Sequence, residues 1–133
     1  MFGVNNGMKK FQDYCAEIME FFRENGVRLD PEPSVRLDRR SLNRFDPYVP
    51  TGHYDFTRNE ITLYVSNRQC KDILRTFCHE LIHVSQYRKD PDGYASFDKS
   101  GSLRDNPVLR KYEEEAYKKG NILFRDWTET KDE

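Results

Sequence analysis

The chain has 133 residues, of which 36% are hydrophobic and 34% are charged, and its formal net charge is −1. This length fits one compact domain, and nine phenylalanines, eight tyrosines and one tryptophan supply large side chains for a core. Basic and acidic residues balance in both halves, nine against ten over residues 1–66 and 13 against 13 over residues 67–133. Nucleic-acid-binding domains usually carry a basic excess, so we expect no nucleic-acid partner.

Other features place the chain among compact, non-membrane domains. No apolar run approaches the roughly 18 residues of a membrane span, and residues 1–7 lack the layout of a signal peptide. Cys15, Cys70 and Cys78 are odd in number and show no CxxC spacing, which favours free thiols in a reducing compartment. We expect a cytoplasmic protein with one domain over residues 1–133, flexible at 1–6 and 128–133. The oligomeric state stays open.

Hydrophobic periodicity predicts the first half of the fold. Apolar residues recur at helical spacing from Met8 to Glu24, and Gly26 ends this helix. After the breaker at 30–33, a short strand is expected at 34–37, followed by a loop rich in arginine and proline. The alternation over 53–56 and 60–65 then predicts a hairpin.

The second half is predicted to be helical. Ser66 and Gln69 have the spacing of a capping box, which indicates a helix that runs to about Arg88. A polar loop over 94–106 precedes Pro107, a favoured first helical residue, and a last helix reaches about Trp127. The sequence therefore predicts an α+β fold, in which three helices flank a small, mostly antiparallel sheet of two or three strands.

The second predicted helix contains an HExxH sequence, His79-Glu80-Leu81-Ile82-His83. Residues four apart lie one turn apart on the same face, so both imidazoles can bind one metal ion. Glu80 is offset enough to miss the ion and reach a water beside it. This is the arrangement of zinc peptidases, in which five residues supply two ligands and a general base. The apolar face of this helix lies opposite the histidines, which argues against a role for them as ordinary core residues.

A third ligand can be sought by elimination, because a catalytic zinc ion usually has three protein ligands. The metzincin pattern would require Gly at 86 and His at 89, whereas the chain has Gln86 and Lys89. The remaining histidine, His53, lies upstream in the hairpin, and a lone strand histidine is usually neither ligand nor catalyst. The acidic triplet 113–115 in the last helix is then the source of a carboxylate ligand.

The phase of the last helix selects one glutamate of the triplet. At about 100° per residue from Leu109, Glu113 lies at about 40°, in the middle of the apolar face, whereas Glu114 and Glu115 lie outside it. A carboxylate on a core face is costly unless a metal ion compensates for its lost hydration. Glu113 is therefore the predicted ligand, and the other two are expected to be solvated at a helix start.

Two stretches, Thr76–Val84 and Tyr112–Tyr117, resemble the gluzincin metallopeptidases, in which HExxH is followed by a helix carrying Glu-x-x-Ala. The compact form is similar to the minigluzincins and to the SprT-like and ImmA/IrrE-like small zinc peptidases. The resemblance implies a zincin-like fold and one zinc ion per chain, bound by His79, His83 and Glu113. SprT-like proteins usually use a third histidine, so the branch with a glutamate ligand fits better. These families often have Asp or Asn after the alanine, where this chain has Tyr117.

The predicted function is a zinc-dependent peptidase with Glu80 as general base and a protein or peptide as substrate. We expect the substrate to lie along an edge strand at 60–65, near Ile61 and Leu63. Tyr87, Tyr112 and Tyr117 are unranked candidates to bind an oxyanion or support a ligand. The alternative function is a non-catalytic, zinc-stabilised module that binds or regulates another protein.

Overall fold

The computed structural model describes residues 4–39, 51–96 and 106–131, with the backbone alone for 4–9. The fold is α+β, as predicted. The elements run in the order α1 (Val4–Glu24), β1 (Ser34–Asp38), β2 (Gly52–Asp55), β3 (Glu60–Tyr64), α2 (Cys70–Lys89), α3 (Pro91–Ser96) and α4 (Pro107–Lys131). Of the helices described, none combines the length and the apolar character needed to cross a membrane.

The structure adds one helix to the three that were predicted. The short helix α3 begins at Pro91, directly after Asp90 ends α2, and it includes the first residues of the predicted polar loop over 94–106. Tyr94 explains why this segment folds back, because its side chain is only 1% exposed and anchors α3 against the core. The rest of the predicted loop, 97–105, lies outside the described residues, as does 40–50 of the earlier loop.

The sheet is mixed, and β3 is its central strand. β3 pairs with β2 in antiparallel fashion, as the predicted hairpin requires, and with β1 in parallel fashion on its other side. The prediction that 60–65 is an edge strand is therefore wrong, since both edges of β3 carry neighbouring strands. Ile61, Thr62 and Leu63 are all buried, which is typical of a central strand rather than an alternating edge strand. The substrate position predicted near Ile61 and Leu63 is not available.

The capping box predicted at the start of α2 does not form. The helix begins at Cys70, and Gln69 occupies its N-cap position without a side-chain capping hydrogen bond. The Ser66 hydroxyl instead donates to the backbone carbonyl of Arg39, the residue that follows β1. Asn67 has φ 59°, a left-handed conformation that asparagine tolerates better than most residues. The chain therefore turns between β3 and α2 where the sequence pattern suggested a first helical turn.

Helix α2 is the centre of the molecule. It contacts α1, α3, α4, β2 and β3, and twelve of its 20 residues are buried. Phe77, Leu81 and Val84 on its apolar face have no exposed surface. The opposite face, which carries the two histidines, lies towards α4. The HExxH sequence is thus at the junction of α2 and α4.

Candidate functional site

Three side chains that the sequence singled out meet between α2 and α4. Glu113 from α4 places Oε2 3.0 Å from His79 Nε2 and Oε1 2.9 Å from His83 Nε2. The two histidine Nε2 atoms lie 3.2 Å apart. His79 and His83 come from consecutive turns of α2, and Glu113 reaches them from the first half of α4. The cluster therefore draws its two imidazoles from one helix and its carboxylate from another.

This cluster can hold a metal ion. Within the described residues, His79, His83 and Glu113 form the group whose ligand atoms all lie within 4.8 Å of one another. Ligand atoms in a tetrahedral arrangement 2.0–2.2 Å from a zinc ion lie roughly 3.3 Å apart. Each oxygen of Glu113 contacts a different histidine, Oε2 at 3.0 Å and Oε1 at 2.9 Å, so the side chains would have to move outward to admit an ion between them. Two imidazole nitrogens with one carboxylate oxygen suit a borderline-soft divalent cation.

The electrostatics of the cluster couple the carboxylate to the imidazoles. Burial acts to raise the pKa of Glu113, but its hydrogen bonds to His79 and His83 outweigh burial and hold that pKa well below its ordinary value. Burial acts to lower the pKa of His83, yet the carboxylates of Glu113 and Glu80 outweigh it and raise the pKa. The site thus stabilises positive charge beside Glu113.

Glu80 is buried next to this cluster, with 5% of its surface exposed. Burial raises the pKa of its carboxyl, and the nearby His83 and His79 only moderate the increase. A carboxyl group with a raised pKa can both accept and release a proton closer to neutral pH. Glu80 also lines the same cavity as the three ligand candidates, so its position fits the predicted role of a general base.

Helix α4 can deliver Glu113 because small residues let it approach α2. Ala116 is fully buried one turn after Glu113, and Gly120 follows one turn later. A Cβ atom at Gly120 would lie 3.2 Å from both Cα and N of His79. The backbones of the two helices therefore touch at the histidine that begins the HExxH sequence. Sequence reasoning missed Gly120, although a glycine inside a 25-residue helix is a visible signal.

The ligand candidates open into a cavity of about 630 Å³ between α2, α4 and β2. β2 forms one wall, and Arg68, Asp72 and Arg75 surround the end near the start of α2. Arg68 is held there by the Tyr64 carbonyl at 3.0 Å and the Thr76 hydroxyl at 2.6 Å. A cavity of this size suits a short peptide or a small molecule.

The predicted tyrosines have different positions. Tyr117 lies over the site, with its ring centroid 4.3 Å from that of His79, and it lines the cavity although it is 58% exposed. Tyr87 stacks on Phe56 at 5.0 Å, and Tyr112 packs against Tyr94 at 5.4 Å. Among the described residues, Tyr87 and Tyr112 are not part of the cavity wall.

Tyr94 is a cavity residue that sequence reasoning missed. It belongs to α3, inside the segment predicted as a loop, and its ring centroid lies 6.1 Å from that of His83. Burial raises the pKa of its hydroxyl, and the nearby Glu80 and Glu113 raise it further. The hydroxyl therefore remains protonated and able to donate a hydrogen bond. His53 also lines the cavity, from the exposed side of β2.

Gln86 is a second residue whose role the sequence did not reveal. In the sequence it served only to exclude the metzincin pattern, which requires glycine at position 86. Its side chain is buried and lies 2.7 Å from Nδ1 of His83. The other ligand histidine differs, because Nδ1 of His79 is buried without a hydrogen-bond partner among the described residues. The tyrosine at position 117, where the resembling families often have Asp or Asn, contacts the ring of His79 instead.

No protein-family model matches the chain, and comparisons with curated proteins and with solved structures likewise find no match.

Proposed function

We propose that this chain is a zinc-dependent peptidase of the gluzincin type, in which His79, His83 and Glu113 bind the ion. The observation that carries the proposal is the convergence of these three side chains beside the buried Glu80. Two features support a zincin-like fold. A glutamate that could bind the ion lies on a helix after HExxH, and the antiparallel strand β2 lies beside α2. The two-histidine, one-carboxylate donor set is one that catalytic zinc sites use.

Zinc, when bound, would act as a Lewis acid that lowers the pKa of a water and polarises a carbonyl group. Glu80 would accept a proton from the attacking water as the new C–O bond forms. It would then deliver this proton to the amide nitrogen as the C–N bond breaks. The burial of Glu80 suits this double role, because the raised pKa of its carboxyl brings both proton transfers closer to balance.

The substrate would bind along β2 rather than β3. The Thr51 carbonyl accepts a hydrogen bond from Tyr64 N at 3.1 Å. Because hydrogen bonds alternate along an antiparallel strand, the backbone groups of Gly52 and Tyr54 face away from β3. Both residues line the cavity. An extended peptide could therefore add to this edge and gain main-chain hydrogen bonds beside Glu80.

Two tyrosines are placed to hydrogen-bond the substrate carbonyl as its oxygen gains charge. Tyr94 is buried beside His83 and has a rigid position, whereas the exposed Tyr117 lies across the cavity beside His79. A fixed donor in a site with little water stabilises developing charge more than a mobile one. Tyr94 is therefore the stronger candidate, and Tyr94→Phe would lower kcat more than Tyr117→Phe.

The test of this function compares wild type with Glu80→Gln on denatured proteins and on a mixed peptide library, each with one equivalent of zinc. We expect wild type to cleave, and the variant to bind zinc equally and to lose at least 100-fold in activity, because only the general base is lost. Equal cleavage by both proteins would point to a contaminating protease. If both are inert while zinc binding persists, the non-catalytic zinc-stabilised module becomes the better assignment.

A further inference from the structure

Gln86 joins the two helices that supply the ligand candidates. Its side chain is 4% exposed and lies three residues after His83 in α2. The amide oxygen lies 2.7 Å from Nδ1 of His83. The amide nitrogen donates to the Tyr112 carbonyl and to the carboxylate of Glu115, in both cases at 2.9 Å. Tyr112 and Glu115 flank Glu113 on α4, so one side chain contacts one ligand histidine and the neighbourhood of the third ligand.

The partners on α4 fix the orientation of this amide. A backbone carbonyl and an ionised carboxylate only accept hydrogen bonds. The NH₂ group of Gln86 must therefore face α4, and its oxygen must face His83. That oxygen also only accepts, so Nδ1 of His83 must carry a proton. With Nδ1 engaged by Gln86, Nε2 is the nitrogen that can face an ion, and it is the atom that lies 2.9 Å from Glu113.

The two ligand histidines differ in this respect. His83 has its ring orientation and its tautomer set by Gln86, whereas Nδ1 of His79 is buried without a partner in the described part of the chain. Of the two candidate ligand histidines, only His83 thus has its far ring nitrogen held by a hydrogen bond within the described residues, and Gln86 provides it. A polar partner on the far nitrogen of a ligand histidine usually fixes its tautomer and raises its basicity.

We propose that Gln86 is a positioning residue of the metal site. It holds His83 in the tautomer that presents Nε2 to the ion, and it ties α2 to the turn of α4 that carries Glu113. Glu115 completes the arrangement by fixing the amide group. The inference rests on the proposed function for the identity of the ion, whereas the proton on Nδ1 of His83 is a property of the metal-free chain.

The first experiment therefore uses the chelator-treated wild-type protein. With ¹⁵N-labelled histidine, a long-range ¹H–¹⁵N correlation spectrum reports which ring nitrogens carry a proton, and the chain has only three histidines. We expect a proton on Nδ1 of His83, where the Gln86 oxygen accepts it, whether or not Nε2 also donates to Glu113. The exposed His53 serves as an internal reference for a ring in solvent. A His83 ring without a proton on Nδ1 would overturn the proposal without any metal or any variant.

The second experiment measures zinc affinity by competition with a chromogenic chelator. Gln86→Met keeps the length of the side chain but removes both polar groups, and we expect at least tenfold weaker binding. The double variant Gln86→Glu with Glu115→Gln keeps the net charge and reverses the hydrogen bond between the two positions. Its carboxylate can still accept from His83, but it no longer donates to the Tyr112 carbonyl, so we expect affinity between that of Gln86→Glu alone and that of wild type.

Two further variants are the controls for the exchange. Gln86→Glu alone sets two carboxylates against each other and should bind zinc more weakly than the double variant. Glu114→Gln makes the same charge change as Glu115→Gln at an exposed neighbour, and should leave affinity unchanged. Wild-type affinity in Gln86→Met, or no recovery in the double variant, would contradict a positioning role. If wild type binds no zinc, the proposed peptidase function fails, and the presence of a proton on Nδ1 of His83 alone decides whether Gln86 orients that ring.

Discussion

Three consecutive glutamates of α4 occupy three different environments. Glu113 faces α2 with a side chain that is 24% exposed, and its two oxygens contact His79 and His83. Glu114 is exposed to solvent. Glu115 is also exposed, yet one of its oxygens accepts a hydrogen bond from the buried Gln86. Adjacent residues with the same chemistry thus differ in function because a helix rotates each by about 100°.

This difference leads to a prediction about metal affinity. Glu113→Ala should weaken zinc binding at least tenfold, because the carboxylate whose two oxygens contact the two imidazoles is lost. Glu113→Gln should also weaken binding, since a neutral amide is a poor ligand for a dication. The measurement is a chelator competition at fixed pH, with Glu114→Ala as the matched control. Equal affinity of Glu113→Ala and Glu114→Ala would remove Glu113 from the site.

The histidines permit a second prediction. His79→Ala and His83→Ala should each lose most of the bound zinc, because two protein ligands rarely retain it against a chelator. His53→Ala serves as the control, since His53 lines the cavity but lies outside the ligand cluster. Zinc content of the purified variants, measured by atomic emission, checks this. Zinc lost from His53→Ala but retained in His79→Ala would show that another group binds the ion.

At this scale the sequence predicts residues whose role depends on helical phase. The spacing of HExxH and the phase of Glu113 are local properties, and the structure brings these side chains together as expected. Gln86 and Tyr94 were missed because their importance depends on contacts between elements distant in the chain. Glu115 is exposed as expected, but the sequence did not predict its hydrogen bond with Gln86, because that residue lies 29 positions earlier.

The crossing of α2 and α4 is the feature at the scale of elements that makes the site. Glu113, Ala116 and Gly120 lie on the same face of α4 at helical spacing. The two later residues carry almost no side chain, so the helix axes can come close at His79. A larger residue at either position would move Glu113 away from the histidines. The distance between the helices therefore sets the ligand geometry.

Gly120→Ala tests this crossing. Alanine favours a helix over glycine by about 1 kcal/mol, so an unconstrained site would be stabilised. Here the added Cβ would lie 3.2 Å from the backbone of His79, so α2 and α4 would have to move apart to make room for it. We expect a net loss of about 1–3 kcal/mol in stability and weaker zinc binding. Thermal unfolding and chelator competition measure both, with Lys118→Ala as an exposed control on the same helix. A stabilised Gly120→Ala with unchanged zinc affinity would contradict the close crossing.

The sheet shows which element-level features the sequence does not specify. The alternation over 53–56 and 60–65 predicts the β2–β3 hairpin, because pairing between neighbouring strands is local. The parallel addition of β1 to β3 pairs Val35 with Ile61 and Leu37 with Leu63, across more than 20 residues of chain. No local pattern indicates on which side of the hairpin β1 will pair. The edge strand beside the cavity is therefore β2, whereas the sequence predicted β3.

At the scale of the whole molecule, the cluster of His79, His83 and Glu113 connects the two helices that form the centre and one side of the core. α2 contacts the sheet and all three other helices, whereas α4 contacts α1 and α2. Part of the α2–α4 interface is the polar cluster of His79, His83 and Glu113. Without a cation, this cluster places a carboxylate against two imidazoles in a partly buried site. An ion that binds the folded state alone should therefore stabilise the whole fold.

The last prediction follows from this linkage. A ligand that binds only the folded chain adds about 2.7 kcal/mol at a free concentration 100 times its Kd, so the thermal midpoint should rise steadily with added zinc. Calcium and magnesium should have little effect, because they prefer sets of oxygen ligands. The rise should be smaller at acidic pH, since a proton on His83, whose pKa is raised by Glu113 and Glu80, competes with the ion. Glu113→Ala should respond less than wild type, whereas Glu114→Ala should respond equally. Differential scanning calorimetry with chelator and with stepped zinc concentrations measures this, and a midpoint independent of zinc would exclude a metal site that couples α2 to α4.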